Sequence, residues 1–80
     1  MYKIVVVEDD LTIAKAISDH LGQWGYDTSH LTEFRNVAEQ VRQLDPHLVL
    51  LDIALPFYNG FHWCSEIRKF SKVPIMFISS

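Results

Sequence analysis

The first element of the chain is predicted by the stretch KIVVVEDD, residues 3–10. Residues 4–7 are all β-branched, a pattern typical of a strand buried on both faces of a parallel sheet. Three acids end the run: Glu8, Asp9 and Asp10. Asp10 is also suited to cap a following helix, because its side chain can accept free N–H groups of a first turn. The stretch therefore predicts a buried strand, an acidic strand end and a helix in direct succession.

Two apolar stripes at helical spacing follow. The first predicts a helix whose core-facing stripe comprises Ile13, Ile17 and Leu21, with Trp24 as a candidate extension of the apolar positions. A short polar strand, residues 27–31, then reads as a sheet edge. Thr32 is the predicted cap of a second helix, whose buried stripe comprises Phe34, Val37, Ala38, Val41 and Leu44. Asp45 and Pro46 end that helix, because the residue before proline avoids helical geometry.

The second half repeats the pattern of an apolar strand followed by a polar residue. A buried strand over residues 48–51 ends in Asp52. A loop containing Pro56 and the pair Asn59-Gly60 leads to a third helix, at residues 61–70. A fourth strand, residues 73–78, ends in serines.

The order β-α-β-α-β-α-β predicts an α/β fold, a parallel sheet covered on both faces with right-handed crossovers. Ligands of such sheets bind beyond the carboxyl ends of the strands. We therefore expect the chemistry at residues 8–10, Asp52 and Ser79, which all follow strands.

Composition excludes several classes of function. The net charge is −3 and the seven Lys and Arg are scattered, which argues against direct binding to a nucleic-acid backbone. The one cysteine, Cys64, cannot form an internal disulfide, so a reducing compartment is expected. No apolar run reaches the ~20 residues that cross a bilayer. We expect a cytosolic protein.

Carboxylates gathered at one sheet edge favour a magnesium site. Packed carboxylates repel one another unless a cation neutralises them, and Mg²⁺ prefers oxygen ligands. Calcium-loop spacing is missing, and Cys64 and the histidines lack zinc-ligand spacing. Asp52 could then act as a nucleophile toward an activated phosphoryl donor, with the Ser79 hydroxyl bonding a phosphoryl oxygen. The competing interpretation, that these acids only cap helices, fits Asp10 best.

Three blocks, in order, resemble a response-regulator receiver domain: KIVVVEDD (3–10), LLDIALP (50–56) with Asn59-Gly60, and VPIMFIS (73–79). The resemblance implies a flavodoxin-like, CheY-like, three-layer fold with strand order 2-1-3-4, and phosphorylation by a sensor histidine kinase. It also implies that residues 1–80 are the N-terminal part of a receiver. The fifth strand with its lysine, the last two helices and an output domain would lie in a longer protein.

The resemblance assigns roles residue by residue. Asp52 matches the phosphoacceptor, and Asp9 the direct Mg²⁺ ligand. Glu8 matches the acid that reaches the ion through water, the carbonyl of Ala54 matches the third protein ligand, and Ser79 matches the switch residue that senses the phosphoryl group.

Finer details resemble a subfamily. The stretches GFHWC (60–64) and FISS (77–80) are similar to regulators of antimicrobial-peptide and bacitracin resistance, in the OmpR/PhoB-type winged-helix class. That likeness implies a homodimer on phosphorylation and promoter binding through the output domain. The domain would be a stoichiometric switch rather than an enzyme.

Three alternatives are left open. A magnesium-dependent phosphatase commonly has a second acid two residues after its nucleophile, but Ala54 is at that position. A nucleotide-binding module needs a Gly-rich turn after the first strand, where residues 8–10 are acidic. An interaction domain that is never phosphorylated remains a further possibility.

Overall fold

The computed structural model describes residues 1–79, so Ser80 of the FISS stretch lies outside the described residues. Strands and helices alternate as predicted. Their bounds are β1 Lys3–Val7, α1 Leu11–Gln23, β2 Asp27–His30, α2 Val37–Leu44, β3 Leu48–Asp52, α3 Gly60–Arg68 and β4 Ile75–Ile78. Within residues 1–79, none of the helices is both long enough and apolar enough to cross a membrane.

The strands form one parallel sheet in the order β2-β1-β3-β4, which confirms the predicted fold class and topology. The register pairs Val7 of β1 with Leu51 of β3, and Asp52 of β3 with Ile78 of β4. Parallel pairing therefore brings the residues that follow β1, β3 and β4 to the same edge of the sheet.

Side chains alternate between the two faces of the sheet and build two separate clusters. On one face α2 and α3 pack against β1 and β3, and the buried residues there include Val5, Val7, Val37, Val41, Val49, Leu51, Trp63 and Ile67. On the other face α1 packs on a smaller cluster of Ile4, Val6 and Leu50. The central strands β1 and β3 are thus buried on both faces, as their apolar runs predicted.

The α1 face is the more open of the two. Ile13, Ile17 and Leu21 are only half-buried. Trp24 is 72% exposed just after the helix ends, so it does not extend the apolar stripe. Within the described chain, α1 alone covers this face. An apolar groove of about 470 Å³ lies beside it, lined by Tyr2, Ile4, Leu21, Tyr26, Leu48, Leu50 and Met76.

The predicted cap of α2 at Thr32 is also wrong. The helix begins at Val37, and the Asn36 side chain accepts the N–H of Glu39 at 3.3 Å. Residues 31–36 form an irregular connection instead. The Gln40 side chain holds that connection on the helix by donating to the carbonyls of Glu33 (2.7 Å) and Asn36 (2.8 Å).

Replacing the observed cap should therefore cost stability, and replacing the predicted one should not. We expect Asn36→Ala to lower the free energy of unfolding by about 1 kcal/mol, because the N–H of Glu39 loses its partner. Thr32→Ala, at an exposed position outside the helix, should change it by less than about 0.5 kcal/mol. Urea denaturation of both variants checks this, and the reverse order of effects would contradict the assignment.

Candidate functional site

Three acidic side chains converge where β1 and β3 end. Glu8 and Asp9 follow β1, Asp52 ends β3, and the two strands are neighbours in the sheet. One carboxylate oxygen from each of the three lies within 4.8 Å of the others. Glu8 and Asp52 are each only 1% exposed, whereas Asp9 is exposed. The topology thus gathers these acids as the strand order predicted, with two of them shielded from water.

The Asp52 carboxylate is only half satisfied by the protein. Its Oδ1 accepts the backbone N–H of Ala54 at 3.2 Å. Its Oδ2 is buried and finds no hydrogen-bond partner among residues 1–79. Because an unpartnered buried carboxylate oxygen is costly, this atom is suited to a cation or an incoming electrophile.

The pKa of Glu8 reflects its burial and the crowding of carboxylates in the cluster. The pKa of its carboxyl is raised from 4.5 to about 7, mainly by burial and in part by the neighbouring Asp52 and Asp9 carboxyls. The backbone N–H of Asp10, which donates to Glu8 Oε2 at 3.1 Å, acts in the opposite direction on this pKa. A divalent cation among these oxygens would remove the repulsion, so the donor set fits Mg²⁺.

Asp10 plays a different part from its two neighbours. Its Oδ1 accepts the N–H groups of Thr12 (2.9 Å) and Ile13 (3.2 Å), so it caps α1 as predicted. The cap starts the helix directly after the acidic strand end. It also leaves Glu8 and Asp9 as the members of the cluster contributed by this segment.

Ala54 and Ser79 lie at the same edge of the sheet. Ala54 is two residues after Asp52 and donates its N–H to that carboxylate. Ser79 is exposed and directly follows Ile78, the residue paired with Asp52 across β3 and β4. Their places agree with the predicted site, and their roles stay predictions.

Gly60, predicted only as part of a loop, lies against the backbone of Asp52 and Ile53. A Cβ at this position would overlap the carbonyl oxygen of Asp52 and lie 3.0 Å from Cα of Ile53. The Gly60 N–H donates to the carbonyl of Ile53 at 2.8 Å. The first residue of α3 therefore lies directly on the backbone that carries Asp52, and only glycine fits there. The pair Asn59-Gly60 was the available signal, since Asn59 caps α3.

The raised pKa of Glu8 predicts a pH-dependent stability in metal-free solution. Between pH 4.5 and about pH 7 the folded chain keeps a proton on Glu8 that the unfolded chain has released. The stabilising contribution is therefore complete at low pH and is lost as the pH rises through the folded-state pKa. We expect a loss on the order of 1 to 2 kcal/mol, discounted because Asp9 opens the cluster to solvent.

Urea denaturation across this pH range, with a chelator present, measures the effect. Glu8→Gln is the control, because it removes the titrating group while keeping the side-chain size. Relative to Glu8→Gln, the native chain should lose about 1 to 2 kcal/mol of unfolding free energy as the pH rises from 4.5 to about 7. A constant difference would contradict the raised pKa.

Comparison with known proteins places these features in a family. The sequence model of the response regulator receiver domain family matches residues 4–80. The sensory transduction protein BceR of Halalkalibacterium halodurans is 48% identical over 80 residues, all of this chain and 35% of that protein. The response regulator protein GraR of Staphylococcus aureus (strain Newman) is 38% identical over 78 residues, covering 98% of this chain and 35% of GraR. The chain thus spans about a third of the length of these relatives.

Solved structures agree with this result. The N-terminal domain of the nisin resistance regulator NsrR, a lantibiotic response regulator, superposes with a TM-score of 0.90 at 46% identity, over 100% of this chain and 68% of that one. The BeF3-activated N-terminal receiver domain of Klebsiella pneumoniae RstA superposes with a TM-score of 0.91 at 35% identity, over 98% of this chain and 67% of that one. The similarity to NsrR confirms the predicted likeness to regulators of peptide-antibiotic resistance. The chain belongs to the response regulator receiver domain family.

Proposed function

We propose that this receiver domain accepts a phosphoryl group on Asp52 from a sensor histidine kinase, with Mg²⁺ bound beside it. The observation that carries the proposal is Asp52 Oδ2. This oxygen is buried, has no partner among residues 1–79 and lies in a carboxylate cluster. A carboxylate oxygen with no hydrogen-bond partner keeps its lone pairs available for attack on phosphorus.

The roles proposed for the residues are those of the receiver-domain positions that they match. Asp52 and Asp9 carboxylates with the Ala54 carbonyl would hold Mg²⁺ directly, and Glu8 would act through water. The ion when bound neutralises negative charge on the carboxylates and on the phosphoryl oxygens. The Asp52 carboxylate forms the new bond to phosphorus while the bond from phosphorus to the kinase histidine nitrogen breaks. The Ser79 hydroxyl then donates a hydrogen bond to a phosphoryl oxygen.

The consequence of phosphorylation is expected in a longer protein. We propose a cytoplasmic regulator that dimerises when phosphorylated and binds promoter DNA through an output domain. The curated relatives are about three times longer than this chain, which leaves room for such a domain. In this scheme the receiver is a stoichiometric acceptor and not an enzyme.

Intact-protein mass spectrometry after incubation with acetyl phosphate tests the proposal. We expect one phosphate adduct when Mg²⁺ is present and none when a chelator replaces it. Fragmentation should place the adduct on Asp52. Asp19, which is exposed and pairs with Lys15, offers a matched control, because Asp19→Asn should leave labelling unchanged. Labelling that persists without divalent cation, or that maps to another residue, would contradict the proposal.

A further inference from the structure

A contact between two loops lies at the same edge of the sheet as the acidic cluster. The guanidinium carbon of Arg35 lies 4.5 Å from the ring centroid of Phe57. Arg35 belongs to the connection between β2 and α2, and Phe57 to the connection between β3 and α3. Both connections leave the carboxyl ends of parallel strands, the edge where Asp52 lies.

Phe57 is an unusual residue for its place. Its φ is 69°, in the left-handed region that a bulky side chain rarely adopts. The side chain is 61% exposed, so burial does not compensate for this backbone conformation. The contact with Arg35 is therefore a candidate for what holds the Phe57 ring in this position.

Arg35 is itself held by its neighbours. Its backbone N–H donates to Glu33 Oε1 at 2.7 Å, and its guanidinium lies 3.5 Å from Glu33 Oε2. Gln40 of α2 donates to the carbonyl of Glu33 at 2.7 Å and so holds this connection on the helix. The guanidinium thus reaches Phe57 from a connection tied to α2.

The segment carrying Phe57 is attached to the site at both ends. At its start, the Ala54 N–H donates to Asp52 Oδ1. At its end, the Gly60 N–H donates to the carbonyl of Ile53. Between these ends, Leu55 packs against the core and the Tyr58 ring stacks on α3. Phe57 adds a contact with Arg35. The Phe57 contact thus ties this segment to the connection that precedes α2.

We infer that Arg35 and Phe57 are positioning residues for phosphoryl transfer. Their contact fixes the connection between β3 and α3, so that the Ala54 backbone stays aligned with Asp52. This inference rests on the proposed function. It deepens that function by giving the pocket a support outside the acidic cluster, from the connection that precedes α2.

Four variants separate the aromatic contact from simple charge. Arg35→Ala removes the cation, and Phe57→Leu removes the ring while keeping the charge of the protein and a β-carbon at positive φ. Arg35→Lys and Phe57→Tyr keep a cation and a ring. Arg42→Ala is the matched control, because the Arg42 guanidinium also lies over an aromatic ring, 5.9 Å from the centroid of Phe70. This contact lies beside Pro46, which precedes β3, and so is at the opposite edge of the sheet from Asp52.

Two quantities are measured on each variant at equal folded fraction: the initial rate of labelling by acetyl phosphate with Mg²⁺, and the hydrogen exchange rate of the Ala54 amide. We expect Arg35→Ala and Phe57→Leu each to slow labelling and speed amide exchange by roughly 2- to 5-fold, the range of an exposed cation–π contact. Arg35→Lys and Phe57→Tyr should recover most of both quantities. The double variant should equal the worse single variant, and Arg42→Ala should equal the native chain.

If Arg35→Ala and Phe57→Leu show the labelling rate and amide exchange rate of the native chain, this inference is overturned while the proposed function stands. A loss confined to Arg35→Ala would also overturn it, because charge attraction of the anionic donor would then suffice. Additive losses in the double variant would show two independent effects and count against it. If the native chain itself takes no phosphate, the proposed function fails first, and the positioning role falls with it.

Discussion

Replacing Asp52 with asparagine is expected to abolish phosphate labelling and, in metal-free solution, to stabilise the fold. The functional loss follows because an amide oxygen is not a nucleophile toward phosphorus under these conditions. The gain in stability follows from the cluster, where Asp52 and Glu8 are both buried beside Asp9. Removing one charge relieves repulsion that the native fold bears when no cation is bound.

The substituted side chain fits the same hydrogen-bond environment. The amide oxygen can still accept the N–H of Ala54, as Asp52 Oδ1 does at 3.2 Å. The amide nitrogen can donate toward the Glu8 carboxylate, which lies within the same 4.8 Å cluster. We expect a rise in unfolding free energy on the order of 1 to 2 kcal/mol near neutral pH with a chelator present.

Magnesium should reverse the order of stability. The cation stabilises the native chain by mass action, since it binds the folded state, but it binds the variant less well because one ligand charge is lost. Urea denaturation with and without millimolar Mg²⁺ measures both effects. A variant less stable than the native chain in metal-free solution would contradict the repulsion inferred for the cluster.

The convergence of Glu8, Asp9 and Asp52 could be predicted from the sequence because it depends on topology. Two β-branched or apolar runs, each ended by acid, could be recognised in the chain at residues 4–10 and 48–52. In a parallel sheet their carboxyl ends must share an edge. That geometric rule brings Glu8, Asp9 and Asp52 together without any knowledge of loop conformation.

Features set by three-dimensional contacts were not predictable in the same way. Thr32 and Asn36 are both good capping residues, and the choice between them depends on how residues 31–36 cross the sheet edge. The contact of Arg35 with Phe57 joins residues 22 positions apart on two irregular connections. Local pattern carries no information about either arrangement, because both depend on how separate segments pack.

Gly60 shows the same limit at the site itself. The pair Asn59-Gly60 reads locally as a turn, and Asn59 does cap the helix. However, the reason for glycine is an approach of the α3 terminus to the Asp52 backbone, which only the folded structure reveals. The φ of Gly60 does not require glycine, since Gly25 alone among the three glycines has a positive φ. The requirement is therefore spatial and can be tested by adding one methyl group.

Gly60→Ala should cause the largest loss of stability of the substitutions considered. The new methyl group would overlap the carbonyl oxygen of Asp52, a backbone atom of β3 that no rotamer change can move. Either α3 moves away from the strand or the strand itself shifts. We expect the free energy of unfolding to fall by roughly 3 kcal/mol, at the upper end of the overpacking range. Urea denaturation at low temperature measures this loss.

Gly22→Ala is the matched control, because it adds the same methyl group at a helical glycine with nothing within 4 Å. Alanine there should be neutral or stabilising by up to about 1 kcal/mol. Among folded molecules of Gly60→Ala, phosphate labelling of Asp52 should also slow by at least about tenfold, because small displacements at a reacting centre are costly. Native stability and native labelling in Gly60→Ala would mean that α3 can retreat freely. In that case the glycine would not position Asp52, and the close approach would be a consequence of the turn rather than a requirement of the site.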